Sequence, residues 1–313
     1  MASGMLGFLG LGKETAYGTP VSATDYVAFE AESIQETINF LRTGQVRARF
    51  AEPPKFLGMK TIAGDIAFDA HPIALGFFLR SALGGYTAPA SAGLATHVFT
   101  PTASNFSSVS PLPPYTVEVH RDVSSSWRYT SALAAQIGIE VGANRIVRAT
   151  ATIVAKDSTL IAKSTPSFPT GSPFSWDVAS VSLGGAASGI FEALRVTIAN
   201  PIEGLGTLDA SKLISRVRRT AHTQIRVAGV IDFDDQTEYE KFRDGTERRL
   251  AITFTSVPSN QLILDIPSFF YQTFPANISG PARISVAFDG GGEYNTGSGT
   301  ALTVTLTNTK TTY

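Results

Sequence analysis

Residues 7–13 read GFLGLGK and match the G-x-x-x-x-G-K spacing of a phosphate-binding loop. Such a loop follows a strand, opens a helix and places a Ser or Thr after the lysine to bind Mg²⁺. Here Glu14 follows Lys13, no strand can precede the motif, and residues 17–20 (YGTP) would end any helix. We therefore interpret these residues as part of a flexible N-terminal arm, residues 1–25.

A second candidate site is acidic, because Asp232, Asp234 and Asp235 lie together in the sequence IDFDDQ. Carboxylates bind Ca²⁺ when several oxygens converge from one tight turn. These three instead span the end of a predicted strand and the start of a predicted helix, where acidic side chains cap the helix and complement its dipole. The spacing favours a structural role over a metal site.

The histidines and the lack of cysteine argue against catalysis. His71, His97, His120 and His222 show no close pair at helix or strand spacing. A Ser-His-Asp triad assembles in space and does not depend on sequence order, but no nucleophile-elbow motif supports one. The absence of cysteine excludes disulfides, thiol catalysis and thiolate zinc sites. We expect no enzymatic activity, no metal and no cofactor.

Two basic stretches, residues 42–60 and 205–222, could contact nucleic acid. However, the formal net charge of -1 creates no positive field that would recruit DNA. Both stretches mix arginine with Pro, Gly, Phe or Leu and lie between predicted strands, which favours a subunit interface. The predicted inter-subunit interface residues are Tyr17, Arg42, Arg47, Arg49, Phe56, Arg216, Arg218 and Arg219.

The elements that must position these residues are short strands, because apolar and polar residues alternate with period two along most of the chain. Residues 115–120 (YTVEVH), for example, place Val117 and Val119 on one face and Glu118 and His120 on the other. Similar patterns occur at 135–141, 148–155, 192–199, 223–233, 250–255, 261–266, 282–288 and 301–307. The fold class is therefore all-β.

Two segments, residues 71–83 and 234–244, lack the alternation and are predicted to form short helices laid against a sheet. Asp69 and Asp234 are the predicted N-caps of these helices. Residues 88–114 form a long insert without an assigned element, which we interpret as an exposed loop.

The two helices follow matching sequences, which suggests an internal duplication. Residues 63–69 (AGDIAFD) and 228–234 (AGVIDFD) share five of seven positions, and the tripeptide Phe-Glu-Ala precedes each at a similar distance. The sequence predicts two copies of one β domain, residues 26–157 and 174–313. They are joined by the Ser-, Thr- and Pro-rich linker 158–173.

Composition bounds the environment of the protein. Only 16% of the 313 residues are charged, against 43% hydrophobic, which is typical of a chain that covers part of its surface in an assembly. The first twelve residues are apolar but contain four glycines and no basic leader, so they make a poor signal peptide. We expect a soluble protein that is made in the cytoplasm.

The chain resembles the major tail tube proteins of long-tailed, siphophage-type bacteriophages. The resemblance is carried by residues 11–20 (LGKETAYGTP), 29–37 (FEAESIQET) and the segment from Arg128-Tyr129 through ATATIVAKD. In the second half it continues in AGVIDFDDQTEYEKFRDG, LILDIPSFFY, ISGPARISVAFDG and ALTVTLTNTKTTY. These motifs span nearly the whole chain, and only the insert 88–114 departs from the pattern.

The resemblance implies β-sandwich domains with flanking helices, whose sheets join neighbouring subunits into a barrel. Rings of subunits would stack into the hollow tail tube of the virion, through which phage DNA passes without sequence-specific binding. The implied partners are further copies of the chain, the tape measure protein, and the tail terminator and distal tail proteins, with no small-molecule substrate. Two domains per chain favour a trimeric ring over a hexameric one.

Two other functions remain open from the sequence. A capsid decoration or baseplate protein would share the low charge and the edge strands, but would form closed particles and no filaments. A carbohydrate-binding or hydrolytic β-sandwich could stack sugars on Trp127 or Trp176, although such aromatic residues more often lie in the core.

Overall fold

The computed structural model describes residues 3–89, 93–256, 260–278, 281 and 283–313, and confirms the all-β fold. Strands β1 to β21 occupy, in chain order, Phe8–Lys13, Asp25–Val27, Ala31–Glu32, Gln35–Arg42, Lys55–Asp69, Gly84–Thr87, Ala95–Pro101, Tyr115–His120, Ser125–Gly142, Arg148–Ala155, Asp157–Ala162, Ala179–Leu183, Ala186–Ala187, Phe191–Ala199, Ile202–Leu205, Arg216–Arg219, Gln224–Asp232, Arg248–Ser256, Asn260–Thr273, Ser285–Glu293 and Thr303–Asn308. Helices α1 and α2 occupy Leu75–Leu83 and Thr237–Arg243.

Nineteen of the strands form three antiparallel layers, and β15 and β16 pair with each other as a separate two-stranded sheet. One layer, which we call the shared sheet, has the order β4-β5-β10-β9-β14-β17-β20-β19, with β3 pairing beside β4 along β5. The first flanking sheet has the order β2-β1-β8-β9-β11. The second flanking sheet has the order β13-β12-β18-β19-β21-β7-β6. The long strands β9 and β19 begin in a flanking sheet and end in the shared sheet.

A buried carboxylate stabilises the point at which β9 crosses between layers. Ser131 adopts a positive φ of 52°, which is costly for a residue with a side chain. Its backbone N–H and its hydroxyl donate hydrogen bonds of 2.7 and 2.6 Å to the buried Glu14 carboxylate. Thr116 donates a third at 2.7 Å, so the charge is hydrogen-bonded inside the protein.

The flanking sheet is more deeply buried than the alternating sequence predicts. In β8 the apolar Val117 and Val119 are buried, but so are the polar Glu118 and His120. The Glu118 carboxylate accepts hydrogen bonds from the Ser164 N–H and hydroxyl at 3.1 and 2.6 Å, because the predicted linker covers this face. The prediction that β8 is exposed on one face was therefore wrong.

Both predicted helices exist, but their predicted caps are wrong. Asp69 ends β5, and α1 has no side-chain cap at its N-terminus. The α2 helix is preceded by Asp235, whose carboxylate accepts a 2.8 Å hydrogen bond from the Thr237 N–H, so Asp235 takes the place predicted for Asp234. Neither helix among the described residues is long and apolar enough to cross a membrane.

Three segments predicted to be irregular contain strands. Within the predicted arm, residues 8–13 form β1 between β2 and β8, with Leu9 and Leu11 buried, so this part is not a free arm. The predicted linker begins inside β11. The insert 88–114 contains β7, which pairs with β21 in the second flanking sheet, and near its end Leu112 is buried in an apolar cluster with Leu133, Ile214 and Val217. The proposed domain boundaries stay a prediction.

Acidification is predicted to destabilise the fold through His97. This side chain is fully buried, with Nδ1 3.0 Å from the Tyr86 hydroxyl and Nε2 2.8 Å from the Lys310 carbonyl oxygen. Burial is the main cause that lowers the pKa of His97 in the folded protein. The unfolded chain therefore binds more protons below a pH of about 6.5, and the free energy of unfolding falls as the pH drops.

Urea denaturation between pH 8 and pH 5 measures this effect. We expect the wild-type chain to lose stability below about pH 6.5, and His97→Gln to show a shallower slope. Burial also lowers the pKa of His71 and His120, which account for the slope that remains in the variant. Equal slopes for the two proteins would contradict the prediction.

Candidate functional site

The two halves of the chain are joined by one β-ladder in the shared sheet. The end of β9 pairs with β14, so that Ile139 lies opposite Val196 and Ile137 opposite Ile198. These four side chains are buried on the core side of the sheet. Burial of each aliphatic side chain contributes about 1.5–3 kcal/mol, so the apolar underside of this ladder stabilises the contact between the two halves. We call the β9–β14 ladder the internal junction.

The ladders on either side of the junction repeat the same pattern. In the first half, β10 lies between β5 and β9, and in the second, β20 lies between β17 and β19. Arg148 lies opposite Asp69, and Ser285 lies opposite Asp232. Continuing the second register by two residues places Arg283 opposite Asp234, the equivalent of the first pair. The β9–β10 and β19–β20 hairpins each also contain one register shift.

The repeated Ala-Gly sequence has a steric reason in this arrangement. A Cβ atom added at Gly64 would lie 2.5 Å from the Ile34 Cα, and one added at Gly229 would lie 2.7 Å from the Ala193 carbonyl oxygen. At Gly64 the link between β3 and β4, and at Gly229 strand β14, approaches the glycine backbone so closely that only hydrogen fits. The two glycines therefore mark equivalent places in the two halves.

The Phe-Glu-Ala tripeptides do not share this equivalence. Ala31 lies opposite Ala67, whereas Ala193 lies opposite Val230, two residues short of the position that corresponds to Ala67. Their similarity in sequence therefore does not correspond to equal positions in the ladders.

The two outer edges of the shared sheet are formed by the counterparts of the two strands, β9 and β14, that pair in its middle. Within the described ranges, β3 and β4 have a single strand neighbour, β5, and the last residues of β19 pair with β20 alone. By the repeated pattern, β3 and β4 correspond to β14, and β19 corresponds to β9. Unpaired edge strands expose backbone groups that can bind another strand.

The β4–β5 hairpin extends beyond the sheet and carries exposed apolar side chains. These are Phe40, Leu41, Val46, Phe50, Phe56 and Leu57. Four of the predicted interface residues, Arg42, Arg47, Arg49 and Phe56, lie together on this hairpin. Arg42 is paired with Glu52, so the surface combines apolar area with charge that is partly neutralised inside the hairpin. Such a surface is typical of a protein interface.

The other three arginines lie on the β15–β16 hairpin, beside the first one. The Lys60 N–H of β5 donates a 2.8 Å hydrogen bond to the Lys212 carbonyl oxygen, which brings the two hairpins together. Arg216 is exposed, but Arg218 donates to the Ser108 carbonyl oxygen at 2.9 Å, and burial lowers the pKa of the half-buried Arg219. Only part of this group is therefore free to contact a partner.

Tyr17 is positioned differently from the arginines. Its ring is half-buried against a small apolar cluster that includes Leu112 and Val217 at the base of the β15–β16 hairpin. Burial is the main cause that raises the pKa of its hydroxyl, and the Lys156 ammonium lies 5.2 Å from the ring centre. Tyr17 thus packs within the chain, and the interface role of all eight residues stays a prediction.

The acidic cluster and the two tryptophans, which the sequence offered as metal-binding and sugar-binding sites, contact other side chains of the protein or line a groove. Asp232 lies 3.6 Å from the Arg283 guanidinium, and no group of three His, Asp or Glu side chains in the described part of the chain is arranged to hold a metal. Trp127 is partly buried beneath the Arg121 guanidinium, 4.7 Å from its ring centre. Trp176 is 45% exposed and lines a groove of about 530 Å³ beside the internal junction.

The sequence comparisons agree with this geometry. A family model described as phage tail tube protein matches residues 4–307, nearly the whole chain. The chain belongs to this family. Membership implies a structural protein that assembles with itself into a tube together with other tail proteins, and that is located in the virion tail. Members of the family are not enzymes. No match was found among curated proteins.

Replacing either glycine of the repeated pair is expected to destabilise the chain. Gly64→Ala and Gly229→Ala each force a backbone or a core side chain to move, which costs about 1–3 kcal/mol of unfolding free energy. Gly142→Ala in β9 is the matched control, since its Cβ would meet side-chain atoms at ordinary distances of 3.7 and 3.8 Å. Thermal denaturation of the three variants measures the difference, and equal melting temperatures would contradict the steric explanation.

Proposed function

We propose that this chain polymerises head to tail into rings and that the rings stack into the hollow tail tube through which phage DNA enters the host. The internal junction is the observation that supports this most directly. One chain already joins the end of β9 to β14, and it exposes the equivalent edges at its two ends. A contact between two different surfaces of identical subunits closes into a ring when the rotation closes.

The proposed ring contains three chains. Each chain would contribute two barrel segments, formed by residues 26–157 and 174–313, so that three chains produce pseudo-sixfold symmetry. The ladders of the shared sheet repeat once within the chain, which supports this count over a ring of six chains.

The β4–β5 hairpin is the proposed contact between stacked rings. Its six exposed apolar side chains would lose water on contact, and burial of apolar area is the main driving force of most protein association. The neighbouring β15–β16 hairpin adds the exposed Leu208 and Arg216 to the same surface.

The open face of the shared sheet is the proposed lining of the tube. It carries small and polar side chains of both charges: Thr61, Asp65, Glu140, Thr152, Arg195, Thr197, Arg226 and Asp289. Affinity for DNA rises with the number of phosphates that lysine and arginine neutralise. Because acids accompany the arginines on this face, DNA would slide past it and would not be held.

The remaining roles follow from the tube. The tape measure protein would occupy the lumen during assembly, and the tail terminator and distal tail proteins would bind the two ends. Assembly would take place in the host cytoplasm, with no small-molecule substrate and no catalysis.

Negative-stain electron microscopy of the purified chain, concentrated at neutral pH, tests the proposal. We expect stacked rings or hollow tubes whose end views have threefold or pseudo-sixfold symmetry, and a native mass of three chains for the isolated ring. Discrete particles that never elongate, even with a tail-tip complex added as a nucleus, would refute the tube and favour a decoration or baseplate protein.

The stacking contact is tested with Val46→Asp combined with Phe50→Asp. Both side chains are almost fully exposed, so the monomer should keep its melting temperature while single rings form and tubes do not. The control is Val123→Asp, which adds a charge at an exposed apolar residue in the turn between β8 and β9. Tubes of normal length from the double variant would exclude the hairpin as the stacking contact.

A further inference from the structure

Strand β19 ends earlier than its counterpart in the first half. In β9, the last residues lie between β10 and β14, where Ile137 and Ile139 are buried. In the second half the chain leaves the ladder after Thr273, and the residues that follow as far as Ile278 form no strand. Ile278 is 79% exposed, although its side chain is a large aliphatic one.

The register identifies which residues correspond. Beyond the register shift, Thr273 pairs with Asp289 in the second half, and continuing that register would place Ala276 opposite Val286 and Ile278 opposite Ile284. In the first half, Ile137 pairs with Ala151 and Ile139 with Ala149. Strands β20 and β10 are aligned through their pairing with β17 and β5, so that Val286 corresponds to Ala151. Ala276 therefore lies at the position of Ile137. Ile278 likewise lies at the position of Ile139. Phe274 lies two residues before Ala276, so an extended strand would place it on the same face, and it is already buried in the core.

The opposite edge is identified in the same way. Gln35 pairs with Ala63, as Arg195 pairs with Ala228. One residue further along each strand, Glu36 corresponds to Val196, and two residues beyond that Ile38 corresponds to Ile198. The internal junction therefore predicts that Ile278 pairs with Glu36 of a second copy, and Ala276 with Ile38.

The directions of the backbone donors match this pairing. In the internal junction, the Ala143 N–H donates to the Glu192 carbonyl oxygen, and the Asn200 N–H donates to the Ala135 carbonyl oxygen. Odd-numbered residues at the end of β9 therefore direct their backbone groups to β14, and even-numbered residues direct theirs to β10.

On the β19 side, the residues that correspond to the odd-numbered ones are Phe274, Ala276 and Ile278. Pro275 corresponds to an even-numbered residue of β9, which would face β20, and as a proline it has no N–H to donate there. This proline interrupts the ladder with β20 inside the monomer, while every donor that faces the neighbouring copy is retained.

We infer that residues 275–278 form a strand only when β4 of a second copy docks beside them. This inference rests on the proposed ring. Before docking, the segment has a partner strand on one side at most, and the proline weakens that pairing. An edge that is not yet formed cannot pair with the wrong strand, so the monomer is protected against uncontrolled association. Docking then buries Ile278 as Ile139 is buried in the internal junction.

Two proline substitutions in one segment test the inference. In the monomer the Ala276 and Asn277 N–H groups donate to the Phe274 and Pro275 carbonyl oxygens at 3.0 Å. Ala276→Pro removes a donor that would face the neighbour in the docked strand, and should raise the concentration at which rings form about tenfold, the equivalent of about 1.4 kcal/mol. Asn277→Pro removes a donor that would face β20, and should change that concentration less than about twofold. Sedimentation velocity measures both, with melting temperatures as a check on folding.

Hydrogen exchange gives a second measurement on the wild-type chain. The amides of Ala276 and Ile278 should exchange rapidly in the monomer and slowly in rings. If the wild type forms no ring, the proposed function fails. If it forms rings, but the two proline variants behave alike or both amides exchange rapidly in the rings, the inference is wrong while the proposed function stands.

Discussion

The ladder between β9 and β14 is the contact on which the rest of the structure depends. It joins the two halves within the shared sheet, and it places four aliphatic side chains on the apolar underside of one continuous sheet. The hydrophobic pattern fixes the register, since a slip of one residue would turn the buried side chains to solvent. The internal junction therefore sets the angle and the spacing between the repeated ladders.

The same ladder explains why the chain suits a polymer. A structure that repeats a strand order once, and joins the two copies edge to edge, necessarily leaves one unused edge of each kind. These edges would be a hazard in a protein that acts alone, and they are the means of growth in a tube. The exposed hairpins lie beside the sheet and supply a second, apolar surface for contacts in the other direction.

Much of the fold could be predicted because its signals are local. Alternation identified most strands, and its absence identified both helices, within a few residues of their ends. The caps could not be predicted, because Asp69, Asp234 and Asp235 have similar chemistry and only the backbone path decides which one meets a free N–H. Burial was also underestimated, because alternation describes one strand and cannot show that a distant segment covers Glu118.

The candidate site was predicted only in part, for the same reason. The arginines and Phe56 of the β4–β5 hairpin were predicted as interface residues because two basic stretches recur, and that role stays a prediction. The open edges at β4 and Ile278 carry no distinctive residue type. Composition and periodicity by themselves determined an all-β chain with little charge, and the repeated Ala-Gly sequence predicted its duplication. The tertiary structure alone decided which edges are paired within the chain and which stay free, because pairing depends on where distant strands meet.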